Sequence, residues 1–125
     1  MTNFDMVREF HDKFGIKRHN EPVIPANKKE VNLRLKLIHE EYLELIEAII
    51  EEDPVAAADA LTDILYVVYG TGDCFGIDLD KCYAEVHRSN MSKLGEDGKP
   101  IRNEHGKVMK GPNYTPPNLK DILFK

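Results

Sequence analysis

The sequence predicts an all-α chain, a four-helix body followed by an irregular tail. Apolar residues repeat at helical spacing in four successive segments, and capping or breaking residues stand between those segments. A third observation is the stretch EEYLELIEAIIEEDPVAAADALTD, from Glu40 to Asp63, which sets acidic stripes on two helices separated by one break. Residues three and four apart share a helix face, at roughly 100° of rotation per residue.

The first helix is expected over Asn3 to Phe14. Phe4, Val7, Phe10 or His11, and Phe14 keep helical spacing, and Gly15 supplies a stop. Residues 15–27, GIKRHNEPVIPAN, hold two prolines and no period, so they read as a loop. Asn27 followed by Glu30 has the pattern of a capping box and opens a long second helix, about Lys28 to Glu52. Val31, Leu35, Ile38, Tyr42, Leu45 and Ile49 form its apolar seam, and Glu40, Glu44, Glu47 and Glu51 form a stripe beside it, with Glu41 at the edge. Arg34 is read as a structural salt bridge to the acids.

Asp53 caps a third helix and Pro54 takes its first position, with the helix running to about Phe75. Asp59, Asp63 and Tyr66 share one of its faces. The apolar run around Asp63 makes a lone carboxylate there costly unless it is paired or metal-bound. Gly76 and Asp78 precede a fourth helix, about Asp78 to Lys93, with Leu79, Cys82, Val86 and Met91 facing inward. Residues 94–117 are rich in glycine and proline. Pro100 to Arg102 against Lys107 to Met109 fits a small hairpin, and Asn118 caps a last helical turn through Phe124. Two parts are expected: a helical body over 1–94, and a tail over 95–125 packed on the same domain.

At 125 residues the chain is one domain, 42% hydrophobic and 31% charged, which is a globular composition. Its net charge of −5 argues against nucleic acid or an anionic membrane as partner. No apolar run nears the roughly 20 residues that span a bilayer. The opening MTNFDMVREF lacks a basic region followed by an apolar stretch, so no signal peptide is expected, and a cytoplasmic protein is. Cys74 and Cys82 lack disulfide or metal-site spacing and read as buried free thiols. His39 and His87 have no second ligand at metal-site spacing and read as ordinary packing or surface residues.

If the break folds the second and third helices together, the two acidic stripes face each other. Such a cluster suits a hard divalent cation, which takes oxygen ligands. The common alternative is a pair of ordinary solvated faces.

The run Glu41-x-x-Glu44-Leu45, followed by Asp59-Ala-Leu-Thr-Asp63-Ile-Leu-Tyr, resembles the MazG-like all-α nucleoside triphosphate pyrophosphohydrolases. Val86 to Leu94, with its Ser-Asn-Met-Ser-Lys core, and Gly106 to Tyr114 resemble the branch of dimeric dUTPase-like and phosphoribosyl-ATP pyrophosphohydrolase-like members. One position departs. The family's second motif places Glu three residues before its Asp, where this chain has Ala60, and Asp59 is the substitute one turn away.

The resemblance implies a four-helix bundle completed by dimerisation, as a homodimer or a dimer of dimers, and surplus apolar surface on the second and third helices points the same way. It implies Mg²⁺, for which Mn²⁺ substitutes, held by Glu41, Glu44 and Asp63, with Asp59 as a further ligand. The reaction implied splits the α–β phosphoanhydride of a nucleotide, dUTP or dCTP being the preferred class and phosphoribosyl-ATP the alternative. Glu40 is a further ligand or the base that takes a proton from water, a role Glu41 shares. Asn90, Lys93, Lys110 and Tyr114 are the implied substrate contacts. A non-catalytic helical dimer is the reading from outside enzymology.

Overall fold

The computed structural model describes residues 1–124 and is all-α but for one short hairpin. Its elements are α1 (Asn3–Phe14), α2 (Lys28–Ile50), α3 (Pro54–Cys74), α4 (Leu79–Met91), β1 (Ile101–Arg102), β2 (Val108–Met109) and α5 (Leu119–Phe124). The chain groups into two compact units, Met1–Leu79 and Asp80–Lys125.

In the first unit α3 is central and packs on both α1 and α2. Thr2 and Asp5 form a capping box at the start of α1, and Gly15 ends the helix in the left-handed region at φ 72°. Phe4, Val7 and His11 are the buried face, so the polar His11 takes the inward position and Phe10 stays 38% exposed. Phe10 instead stacks on Phe14 and meets Tyr66 edge-on at 5.8 Å. Asn27 caps α2 by accepting from the Lys29 amide at 3.0 Å. The box with Glu30 does not form, because the Glu30 carboxylate pairs with His19 Nε2 at 2.9 Å.

The apolar seam of α2 is only partly covered within one chain. Leu35, Tyr42 and Ile49 are 58%, 53% and 61% exposed, in line with the surplus apolar surface expected on this helix. The later half of α3 is likewise less enclosed than its composition implied, since Leu65 and Val68 are exposed. Helix α2 stops at Ile50 rather than Glu52, because Glu52 turns into the left-handed region at φ 55°. Asp53 accepts from the amides of Val55 and Ala56, and Pro54 starts α3. Helix α3 ends at Cys74. Gly76, at φ 71°, lies so close to the carbonyls of His19 and Glu21 that a Cβ would collide with them. The 15–27 loop is tied there by amides of His19 and Val23 donating to the carbonyls of Cys74 and Phe75, each at 3.0 Å.

In the second unit a set of polar contacts ties the tail to α4. Ser89 is buried and donates to the Thr115 carbonyl at 2.8 Å, while Arg88 reaches Glu85, Thr115 and Pro116. Val86 and Met91 are exposed, contrary to the inward face expected for them, and Cys82 is half-buried rather than buried. The hairpin pairs Ile101 with Met109 and Arg102 with Val108, antiparallel. Asn118 caps α5, its side-chain oxygen accepting from the Asp121 amide at 3.2 Å. No helix of the described residues is long and apolar enough to cross a membrane.

Candidate metal centre

Two helices position the candidate site. Glu41 and Glu44 sit one turn apart on α2, and the three residues between α2 and α3 fold Asp63 back against them. Carboxylate oxygens of Glu41, Glu44 and Asp63 all lie within 4.8 Å of one another. Asp63 and Glu41 are half-buried and Glu44 is exposed, so the group opens to solvent on one side.

The charges in this cluster resist one another. Burial, then a hydrogen bond with Glu44 and the charges of Glu44, Asp63 and Asp59, pushes the Glu41 carboxyl up to about 7. Burial also raises Asp63, with Asp59 and Glu44 adding repulsion. Glu41 Oε2 is buried and has no hydrogen-bond partner. An acceptor left bare in this way is costly, and its natural complement is a cation or a proton. Three carboxylates with one orphaned oxygen fit a hard divalent ion by donor type and by charge.

The other predicted residues are placed as follows. Asp59 stands outside the trio, on an exposed position lining a cavity of about 190 Å³ with Glu44, Glu47, Glu51 and Ala60. Its charge still reaches Glu41 and Asp63. Ala60, at the departing motif position, is buried at 3% exposure. Glu40 also stands outside the trio and faces Lys36 Nζ at 3.8 Å. His39 and His87 are exposed. Asn90, Lys93, Lys110 and Tyr114 belong to the second unit. There Asn90 is exposed, the Lys93 carbonyl accepts from the Gly111 amide at 2.9 Å, and Lys110 Nζ lies 4.8 Å from the Tyr114 ring centre.

Arg34 does not join the acids. It is 6% exposed and donates from Nε to the Thr71 hydroxyl at 3.2 Å and from Nη2 to the Val67 carbonyl at 3.0 Å. The expected salt bridge is therefore corrected to two neutral acceptors on α3. A second polar group escaped the sequence reading: Asp73, 2% exposed, bonded by Arg8, His11 and Arg18. Its only sequence signal was the placement of His11 on the apolar face of α1.

The family model described as phosphoribosyl-ATP pyrophosphohydrolase matches residues 7–90, a span holding Glu41, Glu44 and Asp63. An uncharacterized protein of Acanthamoeba polyphaga mimivirus is 38% identical over 102 residues, 79% of this chain. The chain spans 38% of that relative's length. A crystal structure from Exiguobacterium sp. 255-15, provisionally named an NTP pyrophosphohydrolase, superposes with a TM-score of 0.50 at 24% identity. The match covers 96% of this chain and 91% of that one, and it bears on the fold alone. By its family match, its helical fold and its ExxE and Asp63 motif, the chain belongs to the phosphoribosyl-ATP pyrophosphohydrolase family, within the MazG-like superfamily of nucleotide pyrophosphohydrolases.

Proposed function

We propose that the protein hydrolyses the α–β phosphoanhydride of a (deoxy)nucleoside triphosphate, giving the monophosphate and pyrophosphate with Mg²⁺ as cofactor. The observation that carries this reading is the convergence of Glu41, Glu44 and Asp63 within 4.8 Å. In this reading those three residues hold the ion, Mn²⁺ substitutes for it, and Asp59 supports it from the rim. Bound there, Mg²⁺ would supply charge neutralisation for the phosphate oxygens and acidify water.

The chain's own residues do the rest. Before the ion binds, burial and then a hydrogen bond with Glu44 push the Glu41 carboxyl up to about 7. Glu40, outside the trio, and Glu41 are the two proposed acceptors of the proton from the attacking water. Asn90, Lys93, Lys110 and Tyr114 are the proposed phosphate and sugar contacts, an assignment resting on the resemblance. Residues 1–94 are the proposed catalytic domain and 95–125 its tail.

A second substrate, phosphoribosyl-ATP, is favoured by the family model itself. The sequence of the 86–94 and 106–114 segments favours the dUTP or dCTP class. A homodimer belongs to the same proposal, supported by the exposed Leu35, Ile49, Val55 and Leu61 of α2 and α3. The cytoplasm is its proposed compartment.

The test is product analysis across canonical and modified nucleotides and phosphoribosyl-ATP, with Mg²⁺ and with chelator. Monophosphate and pyrophosphate formed only with metal are expected. No hydrolysis of any of them would leave a non-catalytic helical dimer.

A further inference from the structure

Arg34 is a charge buried without a countercharge. It is 6% exposed, and its acceptors, the Thr71 hydroxyl and the Val67 carbonyl, are neutral. Among the described residues no carboxylate pairs with it, and its Nη1 makes no hydrogen bond. A guanidinium taken out of water on these terms is expensive. The fold nonetheless makes room for it: a Cβ at Gly70 would collide with Nη2, so the glycine is what lets Arg34 lie on α3.

Arg34 lines a cavity of about 560 Å³, walled by the 15–27 loop, the start of α2 and the end of α3. Backbone bonds from His19 and Val23 to the α3 terminus hold that wall in place, so the cavity is preformed. Its charge runs against that of the chain, whose net charge is −5. Lys17, Arg18, Lys29 and Arg34 line it against one carboxylate, Glu30. Glu30 is engaged by His19, and Arg18 by Asp12 and Asp73. Lys17, Lys29 and Arg34 are left without an ion-pair partner among the described residues.

We propose that this cavity is an anion site for a phosphate-class group, with Arg34 as its buried donor and Lys17 and Lys29 at its mouth. Arginine suits this role because its planar fork bonds phosphate oxygens while being less strongly hydrated than an ammonium. The site is distinct from the carboxylate trio, since Arg34 precedes Glu41 by about 10 Å of helix axis. The cavity is larger than a phosphate ion, and Ile16, Leu33 and Cys74 give it an apolar wall suited to the organic part of a phosphomonoester.

The test titrates inorganic phosphate and, separately, glycerol 3-phosphate into the full chain in chelator, following the arginine Nε–H resonances by NMR at constant ionic strength. Saturable shifts at Arg34 are expected, absent with chloride. Lys17→Gln together with Lys29→Gln, both exposed, should weaken binding by about fivefold, and Arg34→Lys should abolish saturation. Tighter binding of the ester assigns the site to a phosphorylated ligand, tighter binding of inorganic phosphate to the free anion; both sustain the proposal. No saturation in the wild type, or equal affinity in the double variant, overturns it. The double variant decides the matter even if Arg34→Lys fails to fold. No divalent ion or turnover enters the readout, so failure of the proposed hydrolysis would leave this result intact.

Discussion

His11 Nδ1 lies 2.7 Å from Asp73 Oδ2, with both side chains almost wholly buried, and this contact fastens α1 to the end of α3. Arg18 and Arg8 close on the same carboxylate at 2.8 and 3.2 Å. Burial alone would raise Asp73, but hydrogen bonds from Arg18 and His11 outweigh it and hold the carboxyl below its usual value. A depressed carboxyl stabilises the fold above its ordinary value of 3.8 and loses that contribution as pH falls through the folded one. Asp73→Asn should therefore cost about 3–5 kcal/mol at neutral pH, the usual range for breaking a buried pair. Urea unfolding at pH 7 and at pH 3 checks this: the gap between variant and wild type should narrow at the lower pH.

Glu44→Gln and Asp63→Asn should each abolish metal-dependent turnover while leaving the helical fold in place. Each removes a charge from a cluster whose members repel, so the metal-free variant should melt at or above the wild-type temperature. Circular dichroism melts beside activity assays test both halves. A clear loss of stability with full activity would sink the assignment of the metal ligands.

Glu41 gives a pH signature of opposite sense to Asp73. Its carboxyl is raised from 4.5 to about 7, so its contribution to stability is complete below 4.5 and is lost as pH rises through about 7. The metal-free protein should lose melting temperature across that window, and Glu41→Gln should flatten the loss. Divalent-ion affinity should move the other way, strengthening with pH as the competing proton leaves. Calorimetric titrations of Mg²⁺ in two buffers of different ionisation heat would count the protons released.

Gly70→Ala should destabilise the protein by about 1–3 kcal/mol, the usual cost of overpacking. The new methyl meets the Arg34 guanidinium, which is bonded to Thr71 and Val67, and the His11 ring, which is bonded to Asp73, so either group gives way only by disturbing those bonds. Thermal melts of Gly70→Ala alone and combined with Arg34→Met measure the clash, which should be largely relieved in the double variant.

Lys93→Ala should raise KM more than it lowers kcat if the ammonium binds substrate phosphate in the ground state. Steady-state kinetics on the preferred nucleotide separate this from a transition-state role, which would appear in kcat.

Much of the helical frame was legible because its punctuation is local. Gly15, Asn27, Asp53 with Pro54, and Asn118 act on amides and carbonyls within a few residues, and the helices begin or end beside them. The approach of Glu41 and Glu44 was readable from spacing on one helix, and that of Asp63 from the brevity of the break. The polar groups that meet across long separations were not. His11 and Asp73 come together only because α1 packs on α3, and no periodicity within either helix announces it. Arg34 was misread for the same reason: the acids adjoin it in sequence, but the nearest acceptors lie on another helix. On α4 apolar spacing misled, because the tail docks there through Ser89 and Arg88 rather than through Val86 and Met91.

The three residues joining α2 to α3 have a consequence for how the chain folds. All three carboxylates of the trio belong to one antiparallel hairpin, so the contacts that gather them are short in sequence. Closing so small a loop costs little chain entropy, and low contact order favours rapid formation. The hairpin that brings the acids together must absorb their mutual repulsion as it closes, so the carboxylate cluster works against the very contacts that assemble it.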